Sequence, residues 1–234
     1  LSLQGPLAVD YLEKHIPGVR ALPYMGHMPA MLFGKPITLS RTGYTGERGY
    51  EIFCRGQDAG EIWDRILEEG ASMGIIPCRF TTLDMLRAES YLLFFPFDNS
   101  EMYPFENEGP GDTLWELGLD WTVTKGKTGF RGAEEHYRLQ GKERFKISGL
   151  KFADKTKVPG NAPIFKDGKK IGVVTQPMYS PLNDWVVAIA RLPVDCANNG
   201  TEVEVRCGTH GPLKAVSSSL PFYDVEKKRR TAKD

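Results

Sequence analysis

The chain has 234 residues, of which 41% are hydrophobic and 26% charged, and its formal net charge is zero; we therefore expect a globular protein of one and a half to two domains. Without net charge there is no overall field to attract nucleic acid or an anionic membrane, and no apolar run approaches the ~20 residues of a membrane-spanning helix, so we expect neither partner. The four cysteines form no CxxC pair and the four histidines lack metal-ligand spacing. We therefore predict reduced thiols, a cytoplasmic or mitochondrial-matrix location and no metal site.

The first part of the sequence is predicted to mix strands and helices. A strand at 1–3 is followed by a helix at 6–14, without a signal-peptide pattern. Because the chain opens in mid-strand, we expect that an N-terminal portion is missing. After PGVRALPYMGHMPAML, which we interpret as a connection, strands at 35–41 and 49–54 flank a glycine-rich loop.

Two longer helices are predicted next. Asp58 and Glu61 have the spacing of a capping box, and the helix that they begin ends at Gly70. Its predicted buried residues are Ile62, Trp63, Ile66 and Leu67. The second helix starts at Thr81.

A long irregular segment, Phe94–Gly118, follows the second helix. A connection of this length within a compact domain is usually functional. The pattern then predicts a strand at Leu119–Val123 and a helix at Gly132–Gln140.

From Phe145 onward the sequence contains only strand and turn patterns. About six short strands, with a hairpin signal at Asp167-Gly168, predict a small closed barrel or a sandwich. We place the domain limits at 1–142 and 143–234. The charged tail Glu226–Lys233 is predicted to be a solvated terminus.

The glycine loop, SRTGYTGERGYEI at 40–52, has two interpretations. It is neither a dinucleotide fingerprint nor a phosphate loop, and its glycines are compatible with a plain hairpin loop. In the functional interpretation, the Glu51 carboxylate binds a flat heterocycle through two adjacent N–H groups, as on the pyrimidine edge of a pterin, and Tyr44 lies against it. A cross-strand ion pair would explain Glu51 equally well.

Six motifs in this order resemble the tetrahydrofolate-dependent T-protein family, which includes the aminomethyltransferase of the glycine cleavage system and several demethylases. They are LSLQGP, SRTGYTGERGYEI, PCRFTTLDMLRAES, LDWTV, FRGAEE and SSSLPFY. The resemblance implies an α+β fold, namely part of a folate-binding region followed by a C-terminal antiparallel β-barrel. It also implies tetrahydrofolate as cofactor, held by the residues that match Tyr44 and Glu51.

The resemblance leaves the catalytic residue unassigned, because the family's aspartate near the reactive folate nitrogen belongs to the N-terminal portion that we expect to be missing. Arg87 matches the family's helix and is a third candidate for cofactor binding. At three residues from Asp84, however, it is also compatible with an ordinary surface ion pair.

The resemblance implies transfer of an aminomethyl or methyl group to tetrahydrofolate, from a small-molecule donor or with a lipoyl carrier protein as partner. Leu83 replaces an arginine of the aminomethyltransferases, and FDNSEMYPFE and MYSPLNDWVVAIA look closer to the demethylase branch, which includes the dimethylsulfoniopropionate demethylase. The alternatives of another class are a non-catalytic folate-binding regulator, whose Lys-Gly-Cys-Tyr-Xaa-Gly-Gln-Glu motif is absent from the sequence, and an inactive fragment.

Overall fold

The computed structural model describes residues 1–100, 102, 111–208 and 211–232. The predicted segment Phe94–Gly118 and the charged tail therefore lie partly outside the described residues. The chain divides into two compact units, the first made of Leu1–Leu92 with the C-terminal residues from Asp224 onward, and the second made of Leu93–Tyr223. The domain limits expected from the sequence, 1–142 and 143–234, stay a prediction.

Strands and helices alternate in the first part of the chain, and strands dominate the later part. The strands are β1 (Ser2–Gln4), β2 (His27–Leu32), β3 (Lys35–Ser40), β4 (Gly49–Phe53), β5 (Phe145–Phe152), β6 (Pro163–Lys166), β7 (Lys169–Ser180), β8 (Trp185–Pro193), β9 (Glu202–Val205) and β10 (Leu213–Ser218). The helices are α1 (Ala8–Glu13), α2 (Gly56–Gly70), α3 (Phe80–Glu89), α4 (Ala133–Arg138) and α5 (Lys228–Thr231).

The first unit contains an antiparallel sheet in the order β1-β4-β3-β2. Its inner face contributes Leu39, Tyr50 and Ile52 to a core that also includes Leu12 of α1 and Ile62 of α2. Because side chains alternate along a strand, Glu51 and Phe53 point away from this core.

Strand β2 lies in the stretch that the sequence pattern predicted to be a connection, so that prediction is wrong. Pro29 obscured the strand, because proline cannot donate a ladder hydrogen bond. It is tolerated here because β2 is the edge strand and pairs only with β3.

The predicted capping box of α2 is also wrong. The helix begins at Gly56 without a side-chain cap, and Asp58 is already inside the first turn. Its carboxylate lies 3.7 Å from Lys35 Nζ, which also pairs with Glu61 at 3.1 Å. Lys35 of β3 thus pairs with both carboxylates, which the prediction had assigned to the cap of the helix. Of the predicted buried residues, Ile62 and Ile66 are buried, whereas Trp63 is 40% exposed.

The second unit contains the predicted barrel, closed by six antiparallel strands in the order β10-β5-β8-β7-β6-β9. The β6–β7 hairpin turns at Asp167 and Gly168, where both φ angles are positive, 51° and 76°. Leu150, Val174 and Ala188 are among the fully buried side chains that fill the interior. The fold expected from the sequence is therefore confirmed.

The strand expected at Leu119–Val123 is absent. Residues Asp120–Thr122 form a single 3₁₀ turn. The Leu119 carbonyl accepts hydrogen bonds from the Thr122 amide at 3.0 Å and from its hydroxyl at 2.7 Å. This local pairing of a threonine with the preceding turn competes with extension. Helix α4 confirms the last helix predicted before the barrel.

Candidate functional site

The glycine loop connects β3 to β4, and the Gln4 side chain of β1 fills it. A Cβ atom added to Gly43 would lie 2.1 Å from Gln4 Oε1, and one added to Gly49 would lie 1.9 Å away. The Gln4 amide donates to the carbonyls of Thr42 at 3.2 Å and Tyr50 at 3.4 Å. Two of the three glycines are thus required by the close approach of a partly buried amide.

The third glycine meets helix α3 on another side of the loop. Gly46 has a φ of +78°, and an added Cβ would lie 2.0 Å from Ser90 Oγ. The Ser90 hydroxyl donates to the Thr45 carbonyl at 3.0 Å. Gly46 alone of the three glycines has a positive φ, and it also has this close neighbour, so the interpretation in which the glycines only supply positive φ does not account for the loop. Contacts with Gln4 and Ser90 fix the loop conformation.

Tyr44 and Arg87 meet at one backbone carbonyl. The Tyr44 hydroxyl donates to the Leu92 carbonyl at 3.2 Å, and Arg87 Nη1 donates to the same oxygen at 3.4 Å. Arg87 Nε also donates to Asp84 Oδ1 at 2.8 Å. The structure therefore brings together two of the three residues that the sequence singled out.

The expectation that Asp84 and Arg87 form a surface pair is wrong, because the Arg87 side chain is only 1% exposed. The last turn of α3 is buried from Arg87 to Ser90. A guanidinium can be buried there because a carboxylate and a carbonyl accept hydrogen bonds from it.

Glu51 lies half-buried on the outer face of the sheet, between two serines. Its cross-strand neighbours are Ser2 on β1 and Ser40 on β3. The Thr42 hydroxyl donates to Glu51 Oε2 and lies 3.0 Å from the Ser40 hydroxyl. Within the described part of the chain, Glu51 has no ion pair, so the cross-strand ion pair considered from the sequence does not form.

Across the described ranges of the chain, no hydrogen bond or ion pair joins Glu51 to Tyr44 or Arg87. Among the described residues, Thr42 is the only hydrogen-bond partner of the Glu51 carboxylate. The Oε1 atom therefore keeps its capacity to accept hydrogen bonds from a ligand. A ligand with two adjacent N–H groups fits the chemistry of such an acid, which is surrounded by hydroxyl groups rather than cations.

Two buried arginines that the sequence analysis did not single out tie the ends of the loop to the chain around it. Arg41 Nη1 donates to the Leu22 carbonyl at 2.9 Å. Arg48 Nη2 donates to the Arg20 carbonyl at 3.2 Å and lies 3.3 Å from the Tyr50 hydroxyl. The sequence shows these arginines, but not that they are 4% and 5% exposed. Their burial depends on carbonyls distant in the chain.

No group of three or more histidine, cysteine or carboxylate side chains within the residues that the structure describes is arranged to hold a metal ion. None of the helices in this part of the chain has the length and apolar character needed to span a membrane.

Comparison with family models gives two matches. Residues 1–127 match the GCVT N-terminal domain, and residues 146–224 match the glycine cleavage T-protein C-terminal barrel domain. The matched barrel region contains the six barrel strands except Phe145, the first residue of β5.

Curated proteins and a solved structure are similar to most of the chain. A heme-dependent oxidative N-demethylase gamma subunit of Ectopseudomonas mendocina is 57% identical over 100% of this chain and 61% of its own length. An aminomethyltransferase of Pseudothermotoga lettingae is 30% identical over 95% of this chain and 59% of its own length. The crystal structure of glycine cleavage system aminomethyltransferase T from Bartonella henselae aligns with a TM-score of 0.74 and 27% identity, covering 87% of this chain and 54% of that one. The chain thus spans about 60% of the length of these curated relatives.

Proposed function

This chain belongs to the glycine cleavage T-protein family, and we propose on that basis that it is part of an enzyme that transfers a one-carbon unit to tetrahydrofolate. The observation that carries the proposal is the environment of Glu51. A half-buried carboxylate on an outward sheet face, with hydroxyl neighbours and no ion pair to any residue that the structure describes, retains acceptor capacity for a ligand. Tetrahydrofolate, when bound, supplies the nitrogen that accepts the one-carbon unit.

In this proposal the residues of the chain bind and orient. The Glu51 carboxylate accepts hydrogen bonds from the amino and ring N–H groups of the pterin edge. Thr42 holds Oε2 of that carboxylate, and the Tyr44 ring lines the site from the loop. Arg87 fixes the Leu92 carbonyl that orients Tyr44, and it is the third candidate for ligand contact. Such positioning lowers the entropic cost of bringing two reactants together.

The proposed source of the one-carbon unit is an N-methylated amine. The relative with 57% identity is named as an oxidative N-demethylase subunit, whereas the aminomethyltransferase relative is 30% identical. In this proposal a heme-dependent oxidative partner subunit takes two electrons and a proton from the N-methyl group. Water then adds to the resulting iminium carbon, the amine leaves, and the carbon is released as formaldehyde. We propose that this chain places tetrahydrofolate where that carbon is released, and that the protein works with partner subunits in the cytoplasm. A lipoyl carrier is the corresponding partner if the donor is an aminomethyl group.

Replacement of Glu51 by Gln tests the site, and the experiment uses the whole protein that the gene encodes. One donor of the pterin edge would then face an N–H group, and an unmet buried donor costs about 1–3 kcal/mol. We expect the dissociation constant for tetrahydrofolate to rise about ten-fold to a few hundred-fold in calorimetric titration. Glu202→Gln is the matched control, because Glu202 is an exposed strand glutamate of the barrel. Unchanged affinity with a lowered melting temperature would show that Glu51 is only structural.

The folate product distinguishes between the proposed donors. Mass spectrometry after incubation with an N-methylated amine and its oxidase subunits should show methylenetetrahydrofolate. Formation of 5-methyltetrahydrofolate would instead indicate direct methyl transfer. If neither product forms under conditions in which the amine is demethylated, the proposed reaction is wrong.

A further inference from the structure

The C-terminal segment 224–232 is folded, and it belongs to the first unit. The Asp224 carboxylate accepts hydrogen bonds from the amides of Lys228 at 3.0 Å and Arg229 at 2.8 Å. These bonds organise a turn that leads into the short helix α5. Most described residues of the predicted solvated tail, 226–232, are exposed, but Arg229 and Ala232 also contact other parts of the unit.

This segment contacts both ends of the glycine loop. Arg229 Nη1 lies 3.8 Å from Glu47 Oε2 near the end of the loop. The Ala232 carbonyl accepts a hydrogen bond from Arg41 Nη2 at its start. Arg41 is 4% exposed, so the bond to Ala232 satisfies part of a buried cation. Tyr44 lies between these two contacts in the sequence.

We propose that residues 224–232 act as a brace that holds the glycine loop in its folded conformation, with Arg41 and Glu47 as the positioning residues that it engages. Without the brace, Arg41 loses a carbonyl acceptor and Glu47 loses a cation. The loop backbone from 41 to 48 then samples other conformations, and Tyr44 and Thr42 lose their fixed orientation. The consequence for tetrahydrofolate binding rests on the proposed function, whereas the effect on loop order does not.

Hydrogen exchange in the ligand-free protein tests the brace directly. Truncation after Tyr223 should raise the exchange rate of amides in a peptide covering 41–49 at least ten-fold, while peptides from β7 and β8 should stay unchanged. Arg229→Gln should raise loop exchange to a smaller extent, and it serves as the second variant if the truncated protein does not fold. Lys228→Gln is the matched control, because Lys228 is exposed and pairs with Glu226 within the segment.

A charge-reversal variant of Glu47 and Arg229 provides a second test. Glu47→Arg combined with Arg229→Glu should restore the protection that each single variant loses, because the attraction is re-formed with opposite polarity. Loop exchange that stays at the wild-type rate in both the truncated protein and Arg229→Gln would overturn the brace.

Tetrahydrofolate titration of the same variants separates this proposal from the proposed function. If the brace is coupled to the site, the dissociation constant for tetrahydrofolate should rise in the truncated protein and in Arg229→Gln. The expected rise in Arg229→Gln is at least three-fold. Wild-type affinity in a variant whose loop exchanges faster overturns that coupling. Absence of binding by the wild-type protein refutes the proposed function, while the exchange experiment still decides whether the brace exists.

Discussion

The region around the glycine loop and the second unit, called here the barrel unit, both bury polar side chains. The hydrogen-bond partners of these side chains differ between the two regions. Around the loop, Gln4 and Ser90 donate to backbone carbonyls, and so does the buried Arg48. In the barrel unit, Arg191 makes a bidentate ion pair with Asp112 at 3.0 and 3.2 Å, with side chains only 0% and 3% exposed.

The difference shows which carboxylates remain available for a ligand. In the barrel unit, Asp112 and Glu116 are each occupied by an arginine, and Glu116 accepts from Arg144 Nε at 2.7 Å. Near the loop, amide, hydroxyl and guanidinium groups donate to backbone carbonyls, and Glu51 has no ion pair among the described residues. A region built on carbonyl acceptors can therefore be rigid and still leave a carboxylate oxygen available at its surface.

Asp112→Ala should have the largest effect, because it leaves Arg191 buried without its carboxylate. Removing one partner of a buried ion pair costs about 3–5 kcal/mol. Urea unfolding followed by tryptophan fluorescence is suitable, since Trp115, Trp121 and Trp185 all lie in the barrel unit.

Asp184→Asn is the control for that experiment, because it removes an exposed ion pair with Lys155 while keeping a side chain that tolerates the positive φ of 54° at this position. We expect its unfolding midpoint to match the wild type. Equal midpoints for both variants would contradict the contrast between the two regions.

The second prediction concerns pH and Glu116. Burial raises the pKa of this carboxyl, but hydrogen bonds from Arg144 and from the amides of Thr113 and Arg144 outweigh burial and lower it from 4.5 to about 2. A depressed folded pKa stabilises the protein above pH 4.5, and this stabilisation is lost as the pH falls from 4.5 towards 2. It amounts to roughly 2 kcal/mol once solvent screening at the partly exposed Arg144 is allowed for.

Glu116→Gln should therefore remove this part of the acid dependence. Calorimetric melting from pH 6 to pH 2 should show a gap between wild type and variant at pH 6 that narrows below pH 4.5. A gap that stays constant over this range would show that Arg144 does not hold the carboxylate in its charged form. Exchange of loop amides should not follow the same acid transition.

The smallest effect is expected at the loop glycines, which pack closely against uncharged groups. Gly49→Ala places a methyl group against Gln4 Oε1 and should cost roughly 1–2 kcal/mol, because the flexible Gln4 side chain can move aside. Gln4→Ala removes the obstacle, so the double variant should be more stable than the sum of the two single effects predicts. Melting curves of the four proteins measure this coupling. Strict additivity would contradict the proposed reason for the glycine.

Local patterns in the sequence predicted much of the fold. Short strand patterns separated by turns predicted the barrel, and Asp167-Gly168 predicted the β6–β7 turn. The pattern failed at β2, where Pro29 is tolerated only because the strand is at an edge, and at Asp58, where Lys35 competes for the carboxylate. Both outcomes depend on contacts between residues distant in the chain.

For the candidate site, the sequence predicted which residues take part but not the contacts that they make. The motif identified Tyr44 and Glu51, but not the Leu92 carbonyl that Tyr44 shares with Arg87. Gln4 was visible in LSLQGP, yet its position between two glycines depends on the register of β1 against β4. Hydroxyl neighbours of Glu51 follow from the same register.

The first unit is interrupted in the sequence by the second, which has consequences for synthesis on the ribosome. Residues 224–232 are translated only after about 130 residues of the second unit. At typical elongation rates the gap lasts on the order of ten seconds. During that time the sheet and its loop have left the ribosome exit tunnel without the contacts to Arg41 and Glu47. The nascent loop is therefore expected to be sensitive to proteases until the last segment is made, and the barrel sequence sets the length of that delay.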